Sequence, residues 1–484
     1  MFFRQITDPK LAQYAYLIGC QATGEAIVID PHRDIDQYLE LAETEGLEIV
    51  AATETHIHAD FVSGVREFAA RGVRAYLSGE GGEDWRYEWP GKGDYDCVLV
   101  HDRDVFDIGN IRFDVVFTPG HTPEHICFLV TDGGAGANEP MGLVSGDFVF
   151  VGALGRPDLL EKAAAVAGAM EPSARLLHGS VERFLELPDF LQVWPGHGAG
   201  SACGKALGAV PDTTVGYERR FSPAIEAATR GQDYFVEYIL EGQPEPPMYF
   251  ARMKAWNRSG APVLGGVPTP PHVSAATLEG LDPATAVVVD TRADRSEFMA
   301  GHLPGSLYIP LTNAFNTAAG SVITDEGLDI YLVVEDESLD GAVRDLLRVG
   351  LDRVAGYTTP GELRALFAAG GASASIPEMG FHGALETLAS SPGVVLDVRY
   401  ASEFAAGHVP GAINASYTRL PDYRERLDAV GPGRTLLVHC QSGARAAVAS
   451  SWLAREGYDV GYVNDLWPAY AASHDVEKGE AVAV

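Results

Sequence analysis

Short apolar runs alternate with helical patterns through the first half of the chain. Ala15-Tyr16-Leu17-Ile18-Gly19-Cys20 and Ala26-Ile27-Val28-Ile29-Asp30 predict strands, Ile35 to Glu45 an amphipathic helix, and Leu47 to Thr53 the next strand. Further on, Ile330-Tyr331-Leu332-Val333-Val334 and Thr435-Leu436-Leu437-Val438 read as strands, the second leading into a small-residue helical pattern from Ala446 to Leu453. This alternation predicts an α/β protein. The pattern breaks at 241–272, where Gly242-Gln243-Pro244-Glu245-Pro246-Pro247 and Gly265-Gly266-Val267-Pro268-Thr269-Pro270-Pro271 predict a linker after a first domain at 1–240.

The remaining chain repeats itself. Asp290-Thr291-Arg292, Glu297-Phe298 and Gly301-His302-Leu303-Pro304-Gly305 return as Asp397-Val398-Arg399, Glu403-Phe404 and Gly407-His408-Val409-Pro410-Gly411. Two copies of one α/β unit are expected, at 273–370 and 376–484, with Asp397 and Arg399 bracing the second through an ion pair. The copies differ after the strand. The first continues Glu335-Asp336-Glu337-Ser338-Leu339-Asp340, an acidic loop that cannot support thiolate chemistry. The second continues His439-Cys440-Gln441-Ser442-Gly443-Ala444-Arg445.

Composition narrows the setting. The chain has 484 residues, enough for about three domains at roughly 150 residues each. It carries 35 basic against 67 acidic residues, a net charge of −32, which argues against nucleic acid or an anionic membrane as partner. Neither a basic N-terminal stretch before an apolar run nor a span of roughly 20 apolar residues is visible, so no secretory signal or membrane helix is expected. Five cysteines without CxxC spacing (Cys20, Cys97, Cys127, Cys203, Cys440) point to a reducing cytoplasm.

Two constellations carry chemistry. In the first domain, candidate metal ligands are His56, His58 and Asp60 in Thr55-His56-Ile57-His58-Ala59-Asp60, His121 in Pro119-Gly120-His121, Asp147 in Ser145-Gly146-Asp147, and His197 in Pro195-Gly196-His197. Each motif follows a strand-like run, and imidazole with carboxylate suits zinc, iron or manganese. Near the C-terminus, Cys440 lies between a strand and a helix, where converging backbone N–H groups of Gln441, Ser442, Gly443 and Ala444 favour an anionic sulfur, and Arg445 adds positive charge. That position suits a nucleophile or sulfur carrier.

The first constellation resembles the metallo-β-lactamase fold over residues 10–200, whose THxHxDH signature it nearly carries; the departure is Phe61 in place of the final histidine. In the two-metal hydrolases of that fold this histidine binds the second metal, so Phe61 implies one ion. The one-metal relatives are the persulfide dioxygenases. The resemblance implies one Fe(2+) per chain on His56, His121 and Asp147, with His58, Asp60 and His197 orienting ligands or touching substrate. The repeated units resemble rhodanese domains, with the CxxGxR loop intact only at Cys440.

The whole order resembles bacterial persulfide dioxygenase–sulfurtransferase fusions, in which Cys203 matches a cysteine near the iron site. That resemblance implies an N-terminal αββα metallo-β-lactamase fold followed by two rhodanese-like α/β domains, the first lacking its cysteine. It implies oxidation of a small thiol persulfide by O2 to sulfite, sulfur transfer through Cys440 to form thiosulfate, and a homo-oligomer. Two other readings stay open: a glyoxalase-II-like thioester hydrolase with an accessory rhodanese unit, and a non-catalytic sulfur carrier.

Overall fold

The computed structural model describes residues 1–162, 168–204 and 207–479. The chain divides into two compact units, Met1–Val267 with Leu347–Gly350, and Pro268–Leu346 with Leu351–Val484.

The first unit contains two six-stranded sheets. One runs through Phe2–Asp8, Gln13–Cys20, Glu25–Ile29, Glu48–Thr53, Arg74–Ser78 and Cys97–Val100, antiparallel over its first three strands and parallel thereafter. The other orders Thr213–Thr214, Gln192–Pro195, Gly142–Gly146, Ile126–Asp132, Ile111–Phe117 and Val105–Ile108.

Residue alternation explains the layering. Tyr16, Ile18, Ile27 and Ile29 from the first sheet meet Phe113, Val115, Phe128 and Trp194 from the second in one buried core. The intervening Ala15, Leu17, Ala26 and Val28 point the other way, onto Tyr38, Val65 and Phe68 of the helices Asp36–Thr44 and Val65–Ala69. On the far face, Cys127, Leu143 and Val193 pack on Leu177 and Val181 of helix Met170–Phe184. The result is the expected αββα order.

The segment 241–272, expected as a linker, contains the helix Tyr249–Ser259, and this helix belongs to the first unit. Its flanking prolines hid it from the sequence pattern.

The second unit holds two parallel sheets. One orders Leu307–Tyr308, Ala286–Asp290, Asp329–Val333 and Val354–Thr358. The other orders Glu378–Met379, Val460–Val463, Thr435–His439, Gly393–Asp397 and Ile413–Asn414. The sequence repeat becomes a structural one. Arg292 and Arg399 each grip the aspartate two residues before them, and each donates to a glycine carbonyl, Gly301 at 2.8 Å and Gly407 at 2.7 Å. His302 and His408 stack on Phe298 and Phe404 with ring centroids 4.1 and 3.6 Å apart. No helix among the described residues is long and apolar enough to cross a membrane.

Candidate metal centre and thiol loop

The strands Glu48–Thr53, Ile111–Phe117, Gly142–Gly146 and Gln192–Pro195 each run out into a loop that delivers one candidate group: His56, His121, Asp147 and His197. All four are buried. Gly196 permits the last approach, since a Cβ there would stand 2.7 Å from Asp147 Oδ1.

Hydrogen bonds define the tautomers. Asp30 accepts from Thr55 N at 2.6 Å and from Thr55 Oγ1 at 3.0 Å. With its proton given to Asp30, Thr55 Oγ1 accepts from His56 Nδ1 at 3.0 Å. The Arg156 carbonyl can only accept, so His121 Nδ1, 3.1 Å away, carries its proton. Both rings therefore turn a bare Nε2 inward. Burial holds both imidazoles well below the usual histidine range, reinforced by neighbouring histidines.

The third group is Asp147. Its Oδ1 accepts from His197 Nδ1 at 2.7 Å; its Oδ2 is buried without a hydrogen-bond partner. Oδ2 stands 3.5 Å from His121 Nε2 and 3.9 Å from His56 Nε2. Donor atoms on a metal with bonds of about 2.1 Å sit roughly 3.0 Å (octahedral) to 3.4 Å (tetrahedral) apart, so this cradle is of the right form and slightly wide on the His56 side. Three lone-pair atoms facing one another without a proton between them repel unless a cation lies there. The residues present fit a metal ion.

His58 and Asp60 do not share that cluster. His58 Nε2 lies 3.1 Å from Asp30, and its ring is 4.2 Å from that of His56. Burial lowers its pKa, but Asp30 outweighs this and raises it to about 9. Asp60 Oδ2 accepts from His197 Nε2 at 2.7 Å, so Asp60, His197 and Asp147 form a relay. Burial disfavours the His197 cation, yet Asp147 and Asp60 on its two nitrogens keep its pKa well above normal. Cys203 is buried beside this relay, its sulfur within 4.8 Å of Asp60 and His197 donor atoms. Burial, then Asp60 and Asp147, push its thiol well above the usual range. Its neighbour Lys205 lies outside the described residues. Phe61 is fully buried, with its ring 4.3 Å from that of His58 and 4.7 Å from that of His32.

Sequence reasoning missed four supports. Asp30 orders the Thr55–His58 loop from a left-handed backbone conformation (φ 53). His125, four residues beyond His121, stacks on His56 at 5.1 Å and accepts from Asp147 N at 3.1 Å; burial drops its pKa to about 3. Asn257 donates to the His58 and Phe61 carbonyls at 2.8 and 2.7 Å and accepts from Ser63 N at 2.8 Å. Lys254, one turn earlier on the same helix, is buried with Nζ 5.0 Å from the Trp85 ring centre. Only the His121–His125 spacing left a trace that local reading could have found.

In the second unit, Cys440 ends the strand Thr435–His439 and is buried. Gly443 has φ +87 and begins the helix Ala444–Arg455. A Cβ on it would meet Asn464 Oδ1 at 2.6 Å and Tyr462 Oη at 2.8 Å, so both conformation and space require glycine. Arg445 is not a free cation: it donates to both Glu403 oxygens, at 2.6 and 2.8 Å. The positive charge expected beside Cys440 arrives already paired. Asp397 and Arg399 form the expected ion pair, and Arg399 also lies 4.2 Å from the Trp467 ring centre.

Strand ends in the first unit converge imidazole and carboxylate in a form that suits a metal ion, and the second unit carries a buried thiol between strand and helix. Comparison with known proteins agrees. Residues 8–197 match the metallo-beta-lactamase superfamily and residues 382–473 the rhodanese-like domain. A solved metallo-beta-lactamase from Staphylococcus aureus subsp. aureus COL is 39% identical, with TM-score 0.66, over 74% of this chain and 99% of that one. The chain belongs to the metallo-beta-lactamase superfamily and carries a rhodanese-like domain.

Among curated relatives, the mitochondrial persulfide dioxygenase ETHE1 of Bos taurus is 27% identical over 202 residues, 41% of this chain and 68% of that protein. A hydroxyacylglutathione hydrolase of Gloeobacter violaceus is 33% identical over 186 residues, 38% of this chain and 63% of that protein. The chain spans between half and about two thirds of the first curated relatives it matches.

Proposed function

We propose that this chain oxidises low-molecular-weight persulfides with O2 at one non-haem ferrous ion held by His56, His121 and Asp147, yielding sulfite, and that Cys440 passes sulfane sulfur to sulfite as thiosulfate. One observation carries the reading. Two bare Nε2 atoms and an unpartnered carboxylate oxygen form a three-donor cradle, while Phe61 supplies no donor beside it. The persulfide dioxygenase relative and the rhodanese-like match support it.

Ferrous ion in such a cradle supplies redox chemistry toward O2 and Lewis acidity toward sulfur. The protein's part is orientation. Thr55 and Arg156 fix the histidine tautomers, and the His197 cation, held by Asp60, fixes the second oxygen of Asp147. Cys203, kept protonated, would meet substrate as an S–H donor. In the other unit, Gln441 to Ala444 form the loop that holds a Cys440 persulfide, with Arg445 locked to Glu403 at its edge. The sulfite sulfur attacks the outer sulfur of that persulfide, the bond to Cys440 breaks, and the cysteine leaves as thiolate. The five described cysteines are all unpaired, which supports a reducing, cytoplasmic setting.

A second reading, thioester hydrolysis, is favoured by the hydroxyacylglutathione hydrolase relative. Oxygen uptake by iron-loaded protein given a small persulfide, with sulfite and thiosulfate assayed together, separates the two. Asp147→Ala should abolish uptake and spare sulfur transfer; Cys440→Ser should abolish thiosulfate and spare uptake. Absence of uptake in ferrous protein, with thioester cleavage by metal-loaded protein, would overturn the dioxygenase reading.

A further inference from the structure

The second unit contains a cavity of about 830 Å³ that the sequence did not announce. Its lining comes from both copies of the repeat: Arg292, Arg295, Tyr308 and Arg364 from the first, Ala444 and Asn464 from the second. Ala444 is the first residue of the helix that follows the Cys440 loop. Through Ala444 the cavity reaches the end of the one intact thiol loop.

The three arginines are not equivalent. Arg292 is bound to Asp290 and Glu297, and Arg364 binds Glu297 at 2.7 Å. Glu297 is the counterpart of Glu403, which in the second copy pairs with the loop arginine Arg445. The first copy lacks that loop arginine, and Arg364 takes its place. The Arg295 side chain makes no hydrogen bond or ion pair among the described residues. Its guanidinium carbon lies 3.3 Å from where a Cβ of Gly443 would stand. Tyr462 donates its hydroxyl to the Gly443 carbonyl at 3.1 Å; burial raises its pKa, Arg295 opposes the rise and Cys440 adds to it. The second copy has no equivalent, for it reads Tyr400-Ala401-Ser402 between Arg399 and Glu403.

We propose that the cysteine-less copy supplies Arg295 as a positioning residue for the Cys440 loop, anchoring the carboxylate of a small thiol persulfide seated in this cavity. Size and charge select the ligand. Small-molecule sites run about 300–1,000 Å³, whereas sulfite alone would leave most of this volume empty. Arg292 and Arg364 are already paired with acidic groups, which leaves the Arg295 guanidinium to meet one carboxylate, and Asp294 and Glu335 in the same lining oppose a polyanionic tail. The proposal rests on the reading of Cys440 as sulfur acceptor. In that step the Cys440 thiolate attacks the outer sulfur of R–S–SH, a new S–S bond gives the Cys440 persulfide, the S–S bond of the donor breaks, and R–S⁻ leaves; no net oxidation occurs.

The test uses the full chain carrying Asp147→Ala, so that only Cys440 turns over, with sulfite as acceptor. N-acetylcysteine persulfide carries the carboxylate; N-acetylcysteamine persulfide is the same molecule without it. Arg295→Gln should raise KM about tenfold for the first with kcat unchanged, leave the second unmoved, and be partly rescued by Arg295→Lys. Equilibrium binding of unreactive S-methyl-N-acetylcysteine should weaken by the same factor, and this readout survives even if Cys440 transfers no sulfur. Equal effects on both persulfides, or no effect on KM or on S-methyl probe binding, would overturn the assignment.

Discussion

In the proposed one-ion reading, Phe61 is the side chain on which the number of metal ions turns. Around it, His58 Nδ1 and Asp60 Oδ1 are buried without hydrogen-bond partners. Two potential ligand atoms are thus unengaged, and Phe61, with its ring 4.3 Å from that of His58, adds none. Phe61→His should therefore raise bound zinc from about one to about two ions per chain, at a stability cost of about 2–3 kcal/mol from cavity and polar burial. Elemental analysis after zinc reconstitution measures the first, and urea unfolding of the apo-protein the second. A variant that still binds one ion would mean that something other than Phe61 limits the site.

Strands were legible because their alternation is local: Ala15 to Cys20 sends odd and even residues to different cores, and the chain registers this in consecutive letters. The four candidate groups were legible because each directly follows such a run. The helix Tyr249–Ser259 was not, because prolines precede it and its purpose lies almost 200 residues away, where Asn257 ties down the His58 and Phe61 carbonyls. The same helix buries Lys254. Burial lowers its pKa to about 8, although Glu124 and Cys203 oppose the fall. The unfolded value is about 10.4, so between these limits the unfolded chain holds the extra proton and stability rises with pH. The stabilisation is fully present above the upper limit and is lost as pH falls through about 8. Lys254→Met removes the group. The wild type, but not this variant, should gain up to about 3 kcal/mol across that window in urea titrations of the apo-protein. Parallel pH profiles for the two proteins would show that Lys254 stays charged in the fold.

Each unit of the molecule has its own sheets, its own core and one of the two groups proposed to react: the three-donor cradle in the first, Cys440 in the second. Under the proposed chemistry the only species that must pass between them is sulfite, a small soluble anion. Covalent fusion raises the effective concentration of sulfite at Cys440, but it adds no bond that diffusion could not supply. The two halves should then complement each other on separate chains. Asp147→Ala retains Cys440 and can be loaded by the persulfide; Cys440→Ser retains the cradle and releases sulfite. Neither alone should make thiosulfate from persulfide and O2. An iron-loaded mixture at low micromolar concentration should make it after a lag that the wild type lacks, and the lag should shorten in proportion to added Asp147→Ala protein. The −32 net charge gives the experiment a second handle, because a like-charged surface slows the encounter with sulfite and salt screens that repulsion. Raising ionic strength should shorten the lag of the mixture more than it speeds the wild type. Sulfite that accumulates in the mixture without thiosulfate would show that transfer requires both groups in one chain.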